Sequence, residues 1–236
     1  MKKYGLIGCP VAHSKSPELF RKFCDYEYDL IEESDFEKAY EIFLSGYDAV
    51  NVTAPFKTKA FEKADIKSPE CEAARAANIL VKTPSGVKAC NSDYSAVCLL
   101  LLELMKTHRL STAIVVGCGG AGRAAVIAAL EMGLKTTIAN RTVSKAREFA
   151  DSLGDIFGKK KIPSVIGLDG IFEADIVIYT LPCDISPVIK AEVIIEANYL
   201  DPCLASSGDA EYIGGEKWLE LQAETGFAVM IEAKNV

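Results

Sequence analysis

Two short stretches hold residue types whose spacing could do chemistry. In VVGCGGAGRAA, residues 115–125, Gly117, Gly119 and Gly122 stand at the spacing G-x-G-x-x-G. Between a strand and a helix, such a loop suits a pyrophosphate. The first glycine permits the tight turn, the second lets backbone approach the phosphates, the third lets helix pack on strand, and the helix N-terminus offers unpaired N–H groups. Roughly 20 residues on, where an NAD-selecting loop usually carries Asp or Glu for the ribose hydroxyls, the chain reads Asn140-Arg141-Thr142. No carboxylate is available there. A guanidinium beside a hydroxyl, with Lys145 one turn later, suits a 2′-phosphate, so NADP is expected rather than NAD. The second stretch is GCPVAHSKSPELF, residues 8–20, where His13, Ser14, Lys15 and Ser16 lie between an apolar run and the start of a helical pattern. It contains one of only two histidines, the other being His108.

The elements that must position these loops alternate in period. YGLIG (4–8), YDLI (28–31), DAVNVT (48–53) and NILV (78–81) read as strands, whereas SPELFRKFC, DFEKAYEIFLS and SPECEAARAA carry helical spacing. Ser34 is the expected N-cap of the second helix with Glu37 three residues on, and Ser68-Pro69 opens the third with proline in its first turn. A long apolar helix over 94–107 leads into STAIVVGCGGAGRAAVIAALEMGLKTTIANRT, a strand, glycine loop, helix and strand in βαβ order. SVIGL, ADIVIYTL and VIIEANYL are further strands, and a helix over 215–225 is expected near the C-terminus. The fold class expected is α/β: an N-terminal α/β substrate-binding domain over 1–92, a Rossmann-type doubly wound NADP domain over 93–213, and a helix in 214–236 returning to the first.

Composition excludes several classes of function. The 236 residues are half hydrophobic and a quarter charged, enough for one large core or two modest ones. The net charge of −7 comes without a basic cluster, so nucleic acid is not the expected partner. Eight cysteines form no C-x-x-C pair, and with two histidines no zinc spacing results, so no metal is expected. The apolar run in MKKYGLIGCP is too short for a signal peptide, and no run of 18 apolar residues follows. A reduced, cytoplasmic monomer or homodimer acting on a small molecule is the expectation.

NVTAPFK (51–57) after a buried strand and NSD (91–93) after GVKAC add two more polar constellations. Together with AHSKSP they resemble the shikimate dehydrogenase family. The resemblance runs through H-S-x-S-P, N-V-T-x-P-F-K, A-x-N, N-x-D, G-x-G-G-A, N-R-T and a late G-x-x-x-L-x-x-Q, in order along nearly the whole chain. It implies reversible NADP-linked reduction of 3-dehydroshikimate to shikimate. Ser14 and Ser16 would hold the substrate carboxylate with Tyr199 near it, and Thr53, Lys57, Asn78, Asp93 and Gln222 would bind the ring hydroxyls. The cofactor would lie on Gly117, Gly119, Gly120, Ala121 and Gly122, with Asn140, Arg141, Thr142 and Lys145 at its ribose. Such a reaction moves a hydride to or from the nicotinamide and a proton to or from oxygen, so some group must exchange that proton. With His108 on a helix away from every motif, the resemblance leaves Lys57 and Asp93 as the catalytic residues, and which one exchanges the proton stays open. The chain departs from the family pattern at Tyr94, where glycine is common, at Ile79, in IYTLPCD (178–184), and at Trp218, where methionine is frequent. Rivals are a quinate or other polyhydroxy ring-acid dehydrogenase, and a non-catalytic NADP- or metabolite-binding regulator.

Overall fold

The computed structural model describes residues 2–182, 184–185, 188–204 and 208–232, so Cys183 of the IYTLPCD segment lies outside the described residues. The chain divides into two compact units, Met1–Ser92 with Glu220–Val236, and Asp93–Leu219.

In the first unit, β1 (Lys3–Gly8), β2 (Glu27–Glu32), β3 (Ala49–Val52), β4 (Ile66–Lys67), β5 (Ile79–Thr83) and β6 (Gly86–Cys90) make one sheet in the order β2-β1-β3-β5-β6-β4. β1 runs parallel to β2 and β3, whereas β5 is antiparallel to both β3 and β6. The four strands read from period alone are β1, β2, β3 and β5. All four residues of β3 are buried, as expected of a strand covered on both faces. Four helices connect the strands: α1 (Ser16–Phe23), α2 (Phe36–Gly46), α3 (Lys57–Lys63) and α4 (Pro69–Ala74). Ser34 is not the N-cap of α2. Asp35 takes that place, its carboxylate accepting from the amides of Glu37 at 2.8 Å and Lys38 at 3.3 Å. A carboxylate at the positive end of a helix makes a charge-assisted bond that a hydroxyl one residue earlier cannot match. Phe36, Phe43, Val50, Val52, Phe56 and Leu80 are among the core residues of this unit.

The second unit opens within α5 (Ser92–Leu104), which starts two residues before the expected Tyr94. The reason is tertiary: Asn78 Oδ1 accepts from the Ser92 amide at 2.8 Å, supplying the acceptor that the first turn needs. There follow β7 (Thr112–Val116), α6 (Gly120–Glu131), β8 (Lys135–Ala139), α7 (Val143–Ser152), α8 (Gly154–Phe157) and β9 (Ser164–Ile166). The chain continues through β10 (Ile171–Glu173), β11 (Ile176–Tyr179), β12 (Val188–Lys190), β13 (Val193–Glu196) and β14 (Glu211–Ile213). The main sheet, β14-β13-β11-β7-β8-β9, is parallel at every pairing, while β10 and β12 form a separate parallel ribbon. This is the doubly wound order, with the reversal between β7 and β11, and ligands of such sheets bind outside the carboxyl ends of the strands at that reversal. Gly117 follows β7 and Thr180 follows β11, so the glycine loop lies at that point.

Asp175 ties the other ends of the same two strands. Its carboxylate accepts from the amides of Ser111 and Thr112, each at 2.8 Å, and from the Ser111 hydroxyl at 2.7 Å. Led by the Ser111 hydroxyl, these donors hold its acid constant down, at about 2. A depressed carboxyl stabilises the fold above its unfolded value of about 3.9 and loses that contribution as pH falls through its folded value. Asp175→Asn is therefore expected to melt below the wild type at pH 7, with the gap closing towards pH 2. A gap that does not change with pH would show that the charge plays no part.

α9 (Gly215–Glu232) extends past the expected end at Thr225. Phe227 packs within 4.5 Å of the Phe20 ring and 5.8 Å of the Tyr28 ring, centroid to centroid, so apolar packing on α1 prolongs the helix beyond what its own sequence signals. Among the described residues no helix is long and apolar enough to cross a membrane, and no group of His, Cys, Asp and Glu is placed to hold a metal ion.

Candidate substrate and cofactor sites

In the first unit the motif loops are joined through backbone. The amide of Val52 donates to Asn78 O at 2.7 Å, that of Ala77 to Lys57 O at 2.9 Å, and that of Asn78 to Cys90 O at 3.1 Å. The carboxyl end of β3, the first residue of α3 and the start of β5 thus form one patch. Asn78, 2 % exposed, is its polar centre. Its Nδ2 donates to Ser92 Oγ at 3.1 Å and to Gln222 Oε1 at 3.2 Å. Ser92 Oγ in turn lies 3.4 Å from Gln222 Oε1. The approach of α9 depends on Gly226, one turn beyond Gln222, where an added Cβ would stand 2.9 Å from Ser92 Oγ and 3.1 Å from Ile79 Cδ1.

The serine loop is held from two sides. Glu32 Oε2, at the end of β2, accepts from the amides of Val11 at 2.9 Å and Ala12 at 3.1 Å. Ser14 Oγ donates to Ser16 Oγ at 3.0 Å and accepts from the Ser16 amide at 3.2 Å, so the two hydroxyls form one group at the start of α1. Tyr28, whose hydroxyl donates to Asn51 Oδ1 at 2.8 Å, also bonds Ser16. Burial drives the Tyr28 phenol far above its ordinary range, so it stays a neutral donor at any working pH.

In the second unit, Gly117 adopts φ +104° and α6 begins with Gly119 as N-cap, without a side-chain bond to its first amides. Nothing stands within 4 Å of a Cβ added at Gly119, whereas one added at Gly122 would lie 2.2 Å from Gly117 O. The first position leaves room for a ligand and the second closes helix on loop. Those amides, without a side-chain cap, fit an anionic group at the positive end of the helix. Asn140 joins the two cofactor motifs: its Oδ1 accepts from the Cys118 amide at 3.2 Å and its Nδ2 donates to Thr142 O at 3.1 Å. Arg141, Thr142 and Lys145 are exposed beside it. Asp93, 5 % exposed, lies in the first turn of α5, where its Oδ1 accepts from Trp218 Nε1 at 3.2 Å.

Residues 6–80 match the family model described as the shikimate dehydrogenase substrate binding domain. The shikimate dehydrogenase (NADP(+)) of Shewanella woodyi is 33 % identical over 198 residues, which cover 80 % of this chain and 71 % of that protein. The chain belongs to the shikimate dehydrogenase family. The enzyme of the same name from Pasteurella multocida is 35 % identical over 159 residues, and there the match spans 64 % of this chain but only 59 % of the relative's length. Among solved structures, a shikimate dehydrogenase in complex with NADP+ is 26 % identical with a TM-score of 0.83, covering 99 % of this chain and 91 % of that one. An Ael1 enzyme from Pseudomonas putida is 29 % identical with a TM-score of 0.79, covering 98 % and 93 %.

Of the motif residues, Ser14, Ser16, Thr53, Lys57, Asn78 and Gln222 belong to the first unit, and Gly117, Gly119, Gly120, Ala121, Gly122, Asn140, Arg141, Thr142 and Lys145 to the second. Asp93 and Tyr199 also belong to the second, Tyr199 on the loop after β13. That loop and β14 are tied by Glu196, fully buried, whose carboxylate accepts from the Cys203 amide at 2.7 Å, the Leu204 amide at 3.1 Å and the Tyr212 hydroxyl at 2.7 Å. Sequence reading missed Ser92 as a partner of the two amides, Tyr28 and Glu32 as braces of the serine loop, and Arg123. Arg123 donates from Nε to Cys118 O at 3.3 Å and lies 4.9 Å from the Phe149 ring, centroid to guanidinium carbon. It alone left a signal, because a cation in the first helical turn opposes the helix dipole and needs another reason to be there.

Proposed function

We propose that this chain is an NADP-dependent oxidoreductase that interconverts shikimate and 3-dehydroshikimate, acting in the cytoplasm as a monomer or homodimer without nucleic-acid or membrane partners. The observation that carries the reading is the cluster of buried Asn78 and Ser92 with half-buried Gln222, which presents side-chain amides and a hydroxyl beside the backbone of Lys57. Amide groups can each donate and accept, the chemistry that a ring bearing several hydroxyls requires. Ser14 and Ser16 bind the carboxylate, with Tyr199 assisting, and Thr53, Asn78, Asp93 and Gln222 take the ring hydroxyls. Lys57 or Asp93 exchanges the proton of the reacting oxygen. The glycine loop would hold NADP, with Arg141, Thr142 and Lys145 at its 2′-phosphate, and the nicotinamide would supply the hydride chemistry when bound. Following NADP reduction with shikimate and with quinate tests the assignment. Turnover with shikimate well above that with quinate is expected, and no turnover with either would remove it.

Two variants test the separate halves. Replacing Ser14 and Ser16 together by alanine removes hydrogen bonds to a carboxylate, each worth roughly 1.5 to 3 kcal/mol. KM for shikimate should rise at least tenfold while that for NADP holds. An unchanged KM for shikimate would take the serine loop out of substrate binding. Arg141→Ala deletes a charge-assisted contact, so NADP affinity should fall about tenfold to a hundredfold at 1.4 kcal/mol per decade, with NAD affinity hardly altered. Equal losses for both cofactors would show that Arg141 does not read the 2′-phosphate.

A further inference from the structure

The Trp218 indole is the only tryptophan in the chain and is 3 % exposed. Its Nε1 lies 3.2 Å from Oδ1 of Asp93, itself 5 % exposed. A buried carboxylate is stable only where donors meet its oxygens, and a buried indole N–H needs an acceptor, so each group satisfies the other. The indole nitrogen donates and cannot accept. Oδ1 accepts in this bond, and the bond fixes one oxygen of the Asp93 carboxylate against the ring.

We infer that Trp218 is a positioning residue that anchors Asp93 through Oδ1 and so sets the orientation of its carboxylate. The inference rests on the oxidoreductase reading for its consequence, although the Trp218–Asp93 bond stands on the geometry alone. The anchoring restrains rotation of the carboxylate about its Cβ–Cγ bond. An aromatic ring without the N–H would release that restraint.

Two measurements test it. With a single tryptophan, the protein gives one indole nitrogen–proton cross-peak in its NMR spectrum. Asp93→Ala should move that peak upfield in the proton dimension, and a peak that stays in place would overturn the inference whether or not the protein turns shikimate over. Trp218→Phe keeps an aromatic ring and removes the donor. It should lower kcat for shikimate about tenfold to a hundredfold with KM for NADP unchanged. Trp218→Phe combined with Asp93→Asn should be no slower than Asp93→Asn alone, because a residue acting only through Asp93 has nothing left to position. A purely structural role would instead multiply the two losses, and that result, or a near-normal kcat in Trp218→Phe, would overturn the inference. If the wild type fails to oxidise shikimate, the proposed reaction falls, and the cross-peak still decides whether Trp218 holds Asp93.

Discussion

Lys57→Met is expected to lower kcat for shikimate oxidation by about a hundredfold to ten-thousandfold, the usual worth of a positioned acid or base. Methionine keeps the length of the side chain and removes its charge. The backbone contribution survives, because the Lys57 carbonyl, not its ammonium, receives the Ala77 amide at 2.9 Å and joins the motif loops. KM for shikimate, assigned in the proposed reading to Ser14, Ser16, Thr53, Asn78 and Gln222, should change far less than kcat, the pattern of an interaction made chiefly in the transition state. Neither histidine offers a substitute. His13 is exposed on the serine loop, and His108 lies in the second unit with its Nε2 3.4 Å from Glu211. A near-normal kcat in Lys57→Met would move proton exchange to another group, with Asp93→Asn as the next variant to measure.

Gly122→Ala should damage the cofactor half severely. The new Cβ would stand 2.2 Å from Gly117 O, 2.8 Å from Gly117 C and 2.9 Å from Thr180 Oγ1. The first two are backbone atoms of the turn itself, so no side-chain rotation relieves the overlap. Thr180 cannot easily yield either, since its hydroxyl and its amide both donate to Val116 O at 2.9 Å. Overpacking of this kind costs about 3 kcal/mol or more, which corresponds to roughly a hundredfold in NADP affinity if the loop takes the strain. Gly119→Ala supplies the comparison. It has nothing within 4 Å and an extended backbone that alanine can adopt, so its effect on folding should stay near 1 kcal/mol. Melting curves and NADP titrations on both variants check this, and a Gly122→Ala protein that behaves like wild type in both would remove the helix-on-loop packing from the account.

The motifs themselves were legible because their chemistry is local. Gly117, Gly119 and Gly122 act through turn geometry within a few residues, and Asn140-Arg141-Thr142 is placed by the length of one βαβ unit. The strands β1, β2, β3, β5, β7, β8, β11 and β13 were legible for a similar reason, since strands covered by helices must be short, β-branched and bounded by polar turns. What the sequence by itself determined was thus the α/β order, the glycine loop between strand and helix, and the set of polar loops. Only the tertiary structure decided which of those side chains meet. Ser92 lies 14 residues beyond Asn78 and 130 before Gln222, Trp218 lies 125 beyond Asp93, and Glu32 reaches Val11 across 21. No periodicity reports such pairs, because each is made by the end of one element arriving at another. The limits of α5 and α9 followed the same rule, set by Asn78 Oδ1 and by the packing of Phe227 on Phe20, whereas Asp35 caps α2 locally. Burial supplies the physical reason. A polar group removed from water must find its partner wherever the fold delivers one, and that address is written in three dimensions rather than in sequence spacing.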